Sequence, residues 1–90
     1  RLSVYDMSNI RISKHAREQM VERGVREEEI IEAIRSGEEL PARRNRKKFR
    51  KNFSYCKEWG GKVYKTKQVV PVIAEEKGSI IVVTVLSFYF

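Results

Sequence analysis

The sequence predicts an α+β fold in which two N-terminal helices pack on one face of a three- to four-stranded antiparallel sheet. Three observations predict it: helical apolar spacing in residues 14–36, a period of two in residues 47–59, and tight-turn signals between the later segments. The expected order is a short strand, two helices and a meander of three strands. Ninety residues suit a single domain over residues 1–90, with residues 1–8 as a flexible lead-in.

The first strand and the first helix are marked by local signals. Residues 9–12 alternate between polar and apolar and predict a short strand. Ser13 suits the N-cap position because its hydroxyl can accept from an unpaired amide of the first turn. The helix is expected over residues 14–23, and Gly24 stands where a left-handed residue ends a helix.

The second helix is expected over residues 27–36. Its apolar stripe consists of Ile30, Ile31, Ala33 and Ile34. Three glutamates in its first turn complement the helix dipole. Arg26 is a poor cap, so the start of this helix is approximate. Gly37 ends the helix and Pro41 prevents its resumption.

The C-terminal half predicts three strands. Residues 47–59 alternate strictly, and Gly60-Gly61 is a hairpin signal. The next strand is expected over residues 62–75, where Pro71 indicates a bulge or an edge position. Residues 80–90 are apolar on both faces, which places the last strand in the centre of the sheet or beneath a partner.

The charge is concentrated in one segment. Seven of the nine residues in 43–51 are cationic, and the net charge is +7. Such a run favours polyanions, of which RNA and DNA are the commonest. Incidental basicity of a small protein is the alternative interpretation. The predicted nucleic-acid contacts are Arg23, Arg43, Arg44, Arg46, Lys47, Lys48, Arg50, Lys51 and Lys65.

The composition also indicates whether to expect disulfides, metal ions and membrane segments. A single cysteine, Cys56, cannot form an internal disulfide, and we interpret it as structural. One Cys and one His fall short of a structural zinc site, so we predict no metal and no cofactor. No apolar run is long enough to span a bilayer, and no signal peptide is visible. We therefore expect a cytoplasmic protein without a membrane partner.

Several motifs resemble a known family. Ser13-Lys14-His15-Ala16, then residues 20–25 and the glutamate-rich helix, are similar to the family catalogued as domain of unknown function 4258. Residues 49–53, 59–62, 64–69 and 84–90 resemble a subgroup of it, so the resemblance covers nearly the whole chain from Ile10. Arg26 departs from the better cap that is usual there. The family's element order is similar to the RelE/ParE toxins and, more distantly, to barnase-like metal-independent ribonucleases.

That resemblance implies a toxin-type RNA-binding protein or a metal-independent endoribonuclease. His15 is the expected acid–base residue, because the helix N-terminus favours neutral imidazole. Lys67 and Tyr64 complete the predicted catalytic set, Tyr64 as the complementary group. Lys65 and Lys67 share a strand face with valines, which indicates either solvated lysines or a bound ligand. The alternative for His15 is ordinary packing.

Two non-catalytic functions also fit the sequence. A nucleic-acid-binding module would use the same cations without His15. Tyr55, Trp59 and Tyr64 suit stacking on unpaired bases and fit core packing equally well. A protein-interaction domain would use the apolar C-terminal strand for a homodimer, or its basic surface for an acidic antitoxin-like partner.

Overall fold

Two helices lie on one face of a five-stranded mixed sheet in the computed structural model, which describes residues 9–90. The elements in chain order are β1 Ile10–Ile12, α1 Lys14–Arg23, α2 Glu27–Ser36, β2 Glu38–Pro41, β3 Lys47–Trp59, β4 Lys62–Glu76 and β5 Ser79–Tyr89. The predicted lead-in over residues 1–8 lies outside the described residues. Within residues 9–90, no helix is both long and apolar enough to cross a membrane.

The sheet differs from the predicted one in strand number and direction. Its order is β1-β5-β4-β3-β2, and β1 runs parallel to β5. The sequence predicted three to four antiparallel strands; the fifth strand is β2, which pairs with the first residues of β3. Four residues between Gly37 and Ala42 are too few to show alternation, and their extended state comes from pairing with β3. The parallel pairing is non-local, since two helices connect β1 to the rest of the sheet.

The helix boundaries follow the predicted local signals. The Ser13 hydroxyl accepts a hydrogen bond from the Ala16 amide at 3.0 Å. Gly24 is left-handed, with φ of 68°. The Glu29 carboxylate accepts from the Arg26 amide at 2.9 Å, so this amide at the start of α2 is paired although the arginine side chain forms no cap hydrogen bond. Both helices therefore begin and end where the sequence predicted.

The hydrophobic core lies between the helices and the sheet. Its buried members are Ala16, Val25, Ile30, Ala33, Ile34, Phe49, Val69, Ile73, Ile80, Val82 and Val85. The last strand, β5, lies between β1 and β4, which confirms the predicted central position. Pro71 is also in a central strand, so the edge alternative is wrong; a register shift against β5 follows it, between Val72 and Ile73. Among residues 9–90, both helices lie on this side of the sheet, and we call the opposite side the bare face.

Along part of β5, side chains of helix α1 take the place of a neighbouring strand. Pairing with β1 covers only residues 80–82 of β5. Further along, the Gln19 side-chain oxygen accepts from the Val85 amide at 2.8 Å. Arg23 donates to the Val85 carbonyl at 2.5 Å. These two side chains satisfy backbone groups that would otherwise form an open edge.

Gly24 is held tightly against the sheet. A Cβ at this position would collide with the indole of Trp59 and lie 2.7 Å from its Cη2 atom. The positive φ and the close approach therefore both require glycine here.

We predict that Gly24→Ala destabilises the protein by about 2–4 kcal/mol, because left-handed strain and overpacking add. Gly60→Ala is the matched control: its φ is also +60°, and nothing lies within 4 Å of its Cβ position. The control should cost only the strain, about 1 kcal/mol. Urea denaturation measures both; equal losses would contradict the close packing of Trp59 on Gly24.

Candidate nucleic-acid interface

The loop between β2 and β3 has a fixed backbone. The Arg46 amide donates to the Arg43 carbonyl at 3.2 Å, and the Ala42 amide donates to the Arg46 carbonyl at 3.1 Å. The two central residues, Arg44 and Asn45, have φ of 61° and 58°. This is the type I′ pattern, which asparagine tolerates and which strains an arginine by about 1 kcal/mol. The loop therefore presents its side chains from a rigid turn.

Four cations of this segment line one groove on the bare face, with a volume of about 610 Å³. We define the basic groove by its lining residues: Pro41, Ala42, Arg43, Arg44, Arg46, Lys48, Val72 and Leu86. Lys48, Val72 and Leu86 are each the sequence neighbour of a core residue, so their side chains point away from the helices. The lining thus combines four cationic side chains with two apolar strand residues, Val72 and Leu86, which we call the apolar floor.

The cationic run divides into two groups. Among residues 9–90, no carboxylate lies within ion-pair distance of Arg43, Arg44, Arg46 or Lys48. Its other cations form ion pairs: Lys47 with Glu39 at 3.6 Å and Glu75 at 3.2 Å, Arg50 with Glu38, and Lys51 with Glu32 at 3.9 Å. Within residues 43–51, and counting only carboxylates of the described chain, the groove cations are those whose charge is available to a ligand without breaking such a pair.

The other predicted contacts lie elsewhere. Arg23 is on α1 and donates to the β5 backbone. Lys51 faces α2 through its pair with Glu32. Lys65 is exposed on β4, outside the groove lining. The structure thus brings four of the nine predicted nucleic-acid contacts together in the groove.

The predicted catalytic residues are on the helix side of the sheet. Lys67 and Tyr64 both adjoin Tyr89: the Lys67 Nζ atom is 5.9 Å from the centre of its ring, and the Tyr64 and Tyr89 ring centres are 5.8 Å apart. His15 is exposed in the first turn of α1, about 13 Å of helix from Gly24 at 1.5 Å per residue. Lys67 and Tyr64 therefore lie close together and His15 does not join them. Their catalytic roles stay predictions.

Lys67 forms a buried ion pair. Its side chain donates to the Glu29 carboxylate at 2.7 Å and to the carbonyl of Gly24. The residue is 3% exposed, and its Nζ atom is 5.6 Å from the ring centre of Tyr55. Lys67 is therefore not a solvated lysine, because its ammonium group is buried together with its hydrogen-bond partners. Glu29 was not singled out from the sequence, because two other glutamates precede it in the same turn.

Tyr89 secures the same region from the last strand. Its hydroxyl donates to the Arg23 carbonyl at 2.6 Å, which also accepts from Ser87 at 3.1 Å. Burial raises the pKa of Tyr89 above its usual value of 10.0, so the neutral donor is favoured in the folded state. The neutral Tyr89 hydroxyl therefore stabilises the fold fully at pH values below its usual pKa of 10.0, and this stabilisation is lost as the pH rises through the raised pKa.

These features define an α+β protein with two helices packed on one side of its sheet and a cationic groove on the bare face. The chain belongs to the family described as Domain of unknown function (DUF4258), whose model matches residues 12–87. The match confirms the family resemblance of the sequence. No curated protein and no solved structure matches the chain. Among the described residues, no group of three or more His, Cys, Asp or Glu side chains is arranged to hold a metal ion.

We predict that Lys67→Met lowers the unfolding free energy by about 3–5 kcal/mol, because it removes the buried partner of the Glu29 carboxylate and leaves only the exposed Arg26 guanidinium, at 4.0 Å. Urea denaturation measures the loss. Lys65→Met is the matched control, an exposed lysine on the same strand, and should change stability by less than about 0.5 kcal/mol.

A second variant separates the ion pair from side-chain packing. The double variant Lys67→Met with Glu29→Met removes both charges and should be more stable than Lys67→Met alone. A double variant as unstable as the two single losses added together would contradict the coupling.

Proposed function

We propose that this chain is an RNA-binding protein of the toxin type that holds an RNA backbone in the basic groove. The observation that carries the proposal is the convergence of Arg43, Arg44, Arg46 and Lys48 on one groove without ion-pair partners among residues 9–90. Guanidinium groups match phosphate oxygens through paired hydrogen bonds, and lysine adds a point charge. A phosphodiester backbone supplies the negative charge that these residues lack.

The apolar floor supports a nucleotide ligand more than a simple polyanion. Val72 and Leu86 line the groove together with the cations, and Val72 pairs with Lys48 across β3 and β4, so they would contact the non-polar face of a base or a sugar. Inorganic polyphosphate offers charge alone. A ligand with alternating anionic and apolar parts uses both kinds of surface.

The strained turn also supports a ligand-binding role. Glycine would adopt the φ of Arg44 without strain, but it would not supply a guanidinium at the groove. A rigid turn also reduces the entropy lost when the ligand orders these side chains.

Toxin character rests on the element order. A strand, two helices and an antiparallel meander are the order that resembles RelE/ParE toxins, and the described chain contains it with an added β2. Fold resemblance alone is a weak basis for function, so the groove carries the proposal. On this proposal the protein acts in the cytoplasm, where RNA is available, and an acidic antitoxin-like partner would compete for the same cations.

Binding is better supported than cleavage. His15 lies on the helix side of the sheet and the groove lies on the bare face, so RNA in the groove is not placed beside the predicted acid–base residue. A metal-independent endoribonuclease would need a second RNA path across α1.

A protein-interaction function is the second candidate, favoured by the exposed aromatic end of the chain. Phe88 and Phe90 are 49% and 58% exposed, which is unusual for phenylalanine. A homodimer formed through this end of the chain would cover them.

We predict that Arg43→Gln with Arg46→Gln weakens RNA binding and lowers the slope of log affinity against log salt by about 1.4, since each single-strand phosphate contact contributes roughly 0.7. Fluorescence anisotropy of a labelled RNA over a salt series measures both. Lys14→Gln with Arg17→Gln is the control; both cations are exposed on α1, on the opposite side of the sheet from the groove, and the pair removes the same charge.

The outcomes separate the hypotheses. Equal effects of the two double variants would contradict the groove and indicate diffuse charge attraction. Absence of RNA binding would overturn the proposal and favour the protein-interaction function. The same RNA run on a gel in chelator tests cleavage: product that His15→Ala removes, with an unchanged thermal midpoint, would identify a ribonuclease.

A further inference from the structure

A second surface combines aromatic rings with cations at the opposite end of β3 from the groove. Tyr55, Trp59 and Tyr64 surround Tyr89, with ring-centre distances to Tyr89 of 5.3, 5.0 and 5.8 Å. All three are partly exposed. Three exposed lysines accompany them in the β3–β4 hairpin. We define the hairpin patch by these residues: Tyr55, Lys57, Trp59, Lys62, Tyr64 and Lys65.

The lysines are positioned around the rings by strand pairing. Lys57 pairs with Tyr64 and Lys62 pairs with Trp59 in the β3–β4 register. The Lys57 Nζ atom lies 5.8 Å from the ring centre of Tyr55. Within the described part of the chain, none of the three lysines has a carboxylate in ion-pair distance. Core packing explains why the rings gather around Tyr89, but it gives no reason for three free ammonium groups beside them.

Packing against the protein supports one face of the Trp59 indole. Its indole stacks on Tyr89 with an interplanar angle of 15°, and Gly24 lies against the benzo edge. Tyr89 is in turn fixed by its hydrogen bond to the Arg23 carbonyl. The indole is therefore supported on one face while part of it stays exposed, as a stacking platform requires.

We propose that the hairpin patch stacks unpaired bases of a single-stranded RNA, as a second contact separate from the basic groove. This inference rests on the proposed RNA-binding function. Aromatic faces backed by protein accept bases of any sequence, and neighbouring lysines hold the backbone between stacked bases. A duplex cannot use the patch, because its base faces are already stacked on one another.

The two surfaces are far apart. Lys48 in the groove and Trp59 in the patch are separated by about 36 Å along β3 at 3.3 Å per residue, and the longest dimension of the described chain is 42 Å. A single strand that contacts both must run the length of the molecule and pass from the bare face to the helix side. The substrate class is thus flexible, unpaired RNA.

The intrinsic fluorescence of Trp59 tests the patch directly, because it is the one tryptophan of the chain. We expect an oligouridylate of roughly 12 nucleotides, within the site sizes of single-strand binding domains, to quench it in a saturable manner. Inorganic polyphosphate brings charge without bases and should leave the emission unchanged. A duplex RNA of the same length should quench much less.

Variants localise the effect without disturbing Trp59. Tyr64→Leu removes one ring and should raise the oligouridylate concentration for half-quenching about tenfold, within the range found when a stacked base loses its aromatic partner. Val63→Ala is the matched control at the next position, where the side chain is 76% exposed and belongs to neither surface. An unchanged thermal midpoint in both variants shows that they are folded. Equal half-quenching concentrations for the two variants would overturn the proposal.

The failures of the two proposals are distinguishable. RNA binding by anisotropy with no change in Trp59 emission would overturn the patch and leave the groove. Quenching by polyphosphate or by duplex RNA equal to that by oligouridylate would overturn stacking of unpaired bases. No binding in either measurement would overturn both proposals together.

Discussion

The buried ion pair between Lys67 and Glu29 is the interaction on which the rest of the structure depends. An ammonium at 3% exposure is tolerated only with partners, and it has the Glu29 carboxylate and the Gly24 carbonyl. These contacts join β4, the first turn of α2 and the turn after α1. With that turn fixed, the Arg23 carbonyl accepts from Tyr89, and Tyr89 supports Trp59. The pair therefore determines both how the helices lie on the sheet and how the aromatic rings are arranged.

Because the two helices cover the other side of the sheet, the groove lies on the bare face. On the helix side, charged groups are used within the fold: Arg23 satisfies the β5 backbone, and Lys51 pairs with α2. On the bare face, the groove cations share one lining with the apolar floor and have no carboxylate partners among residues 9–90. Under the proposed function, this division means that the packed part of the helix side maintains the fold, while the groove on the bare face holds the RNA and the hairpin patch is a second contact. Loss of a groove cation should then affect binding without unfolding the protein.

Local signals in the sequence predicted the helices well, but they did not predict the long-range strand pairing. Ser13 and Gly24 mark the ends of α1 because capping involves only neighbouring residues. The parallel β1–β5 pairing joins strands that are distant in the chain, and no local pattern specifies it. Strand β2 pairs with the next strand, β3, but its four residues are too few to show an alternating pattern. The same limit applies to the site. The sequence showed one basic run, but its division into paired and unpaired cations depends on which carboxylates the fold brings near. Lys67 stood out as a lysine among valines, yet only the packing of α2 on β4 identifies its partner.

Chemical-shift mapping of an isotope-labelled protein during titration with single-stranded RNA tests the central claim most directly, because it locates the bound RNA on one side of the sheet or the other. The account predicts that the largest backbone amide changes occur at Ala42–Lys48, Val72 and Leu86, with smaller changes in the β3–β4 hairpin and none around His15. Changes centred on His15 and the exposed side of α1, with the β2–β3 turn unaffected, would contradict it. That result would move the RNA site to the helix side and restore His15 as the leading candidate for catalysis.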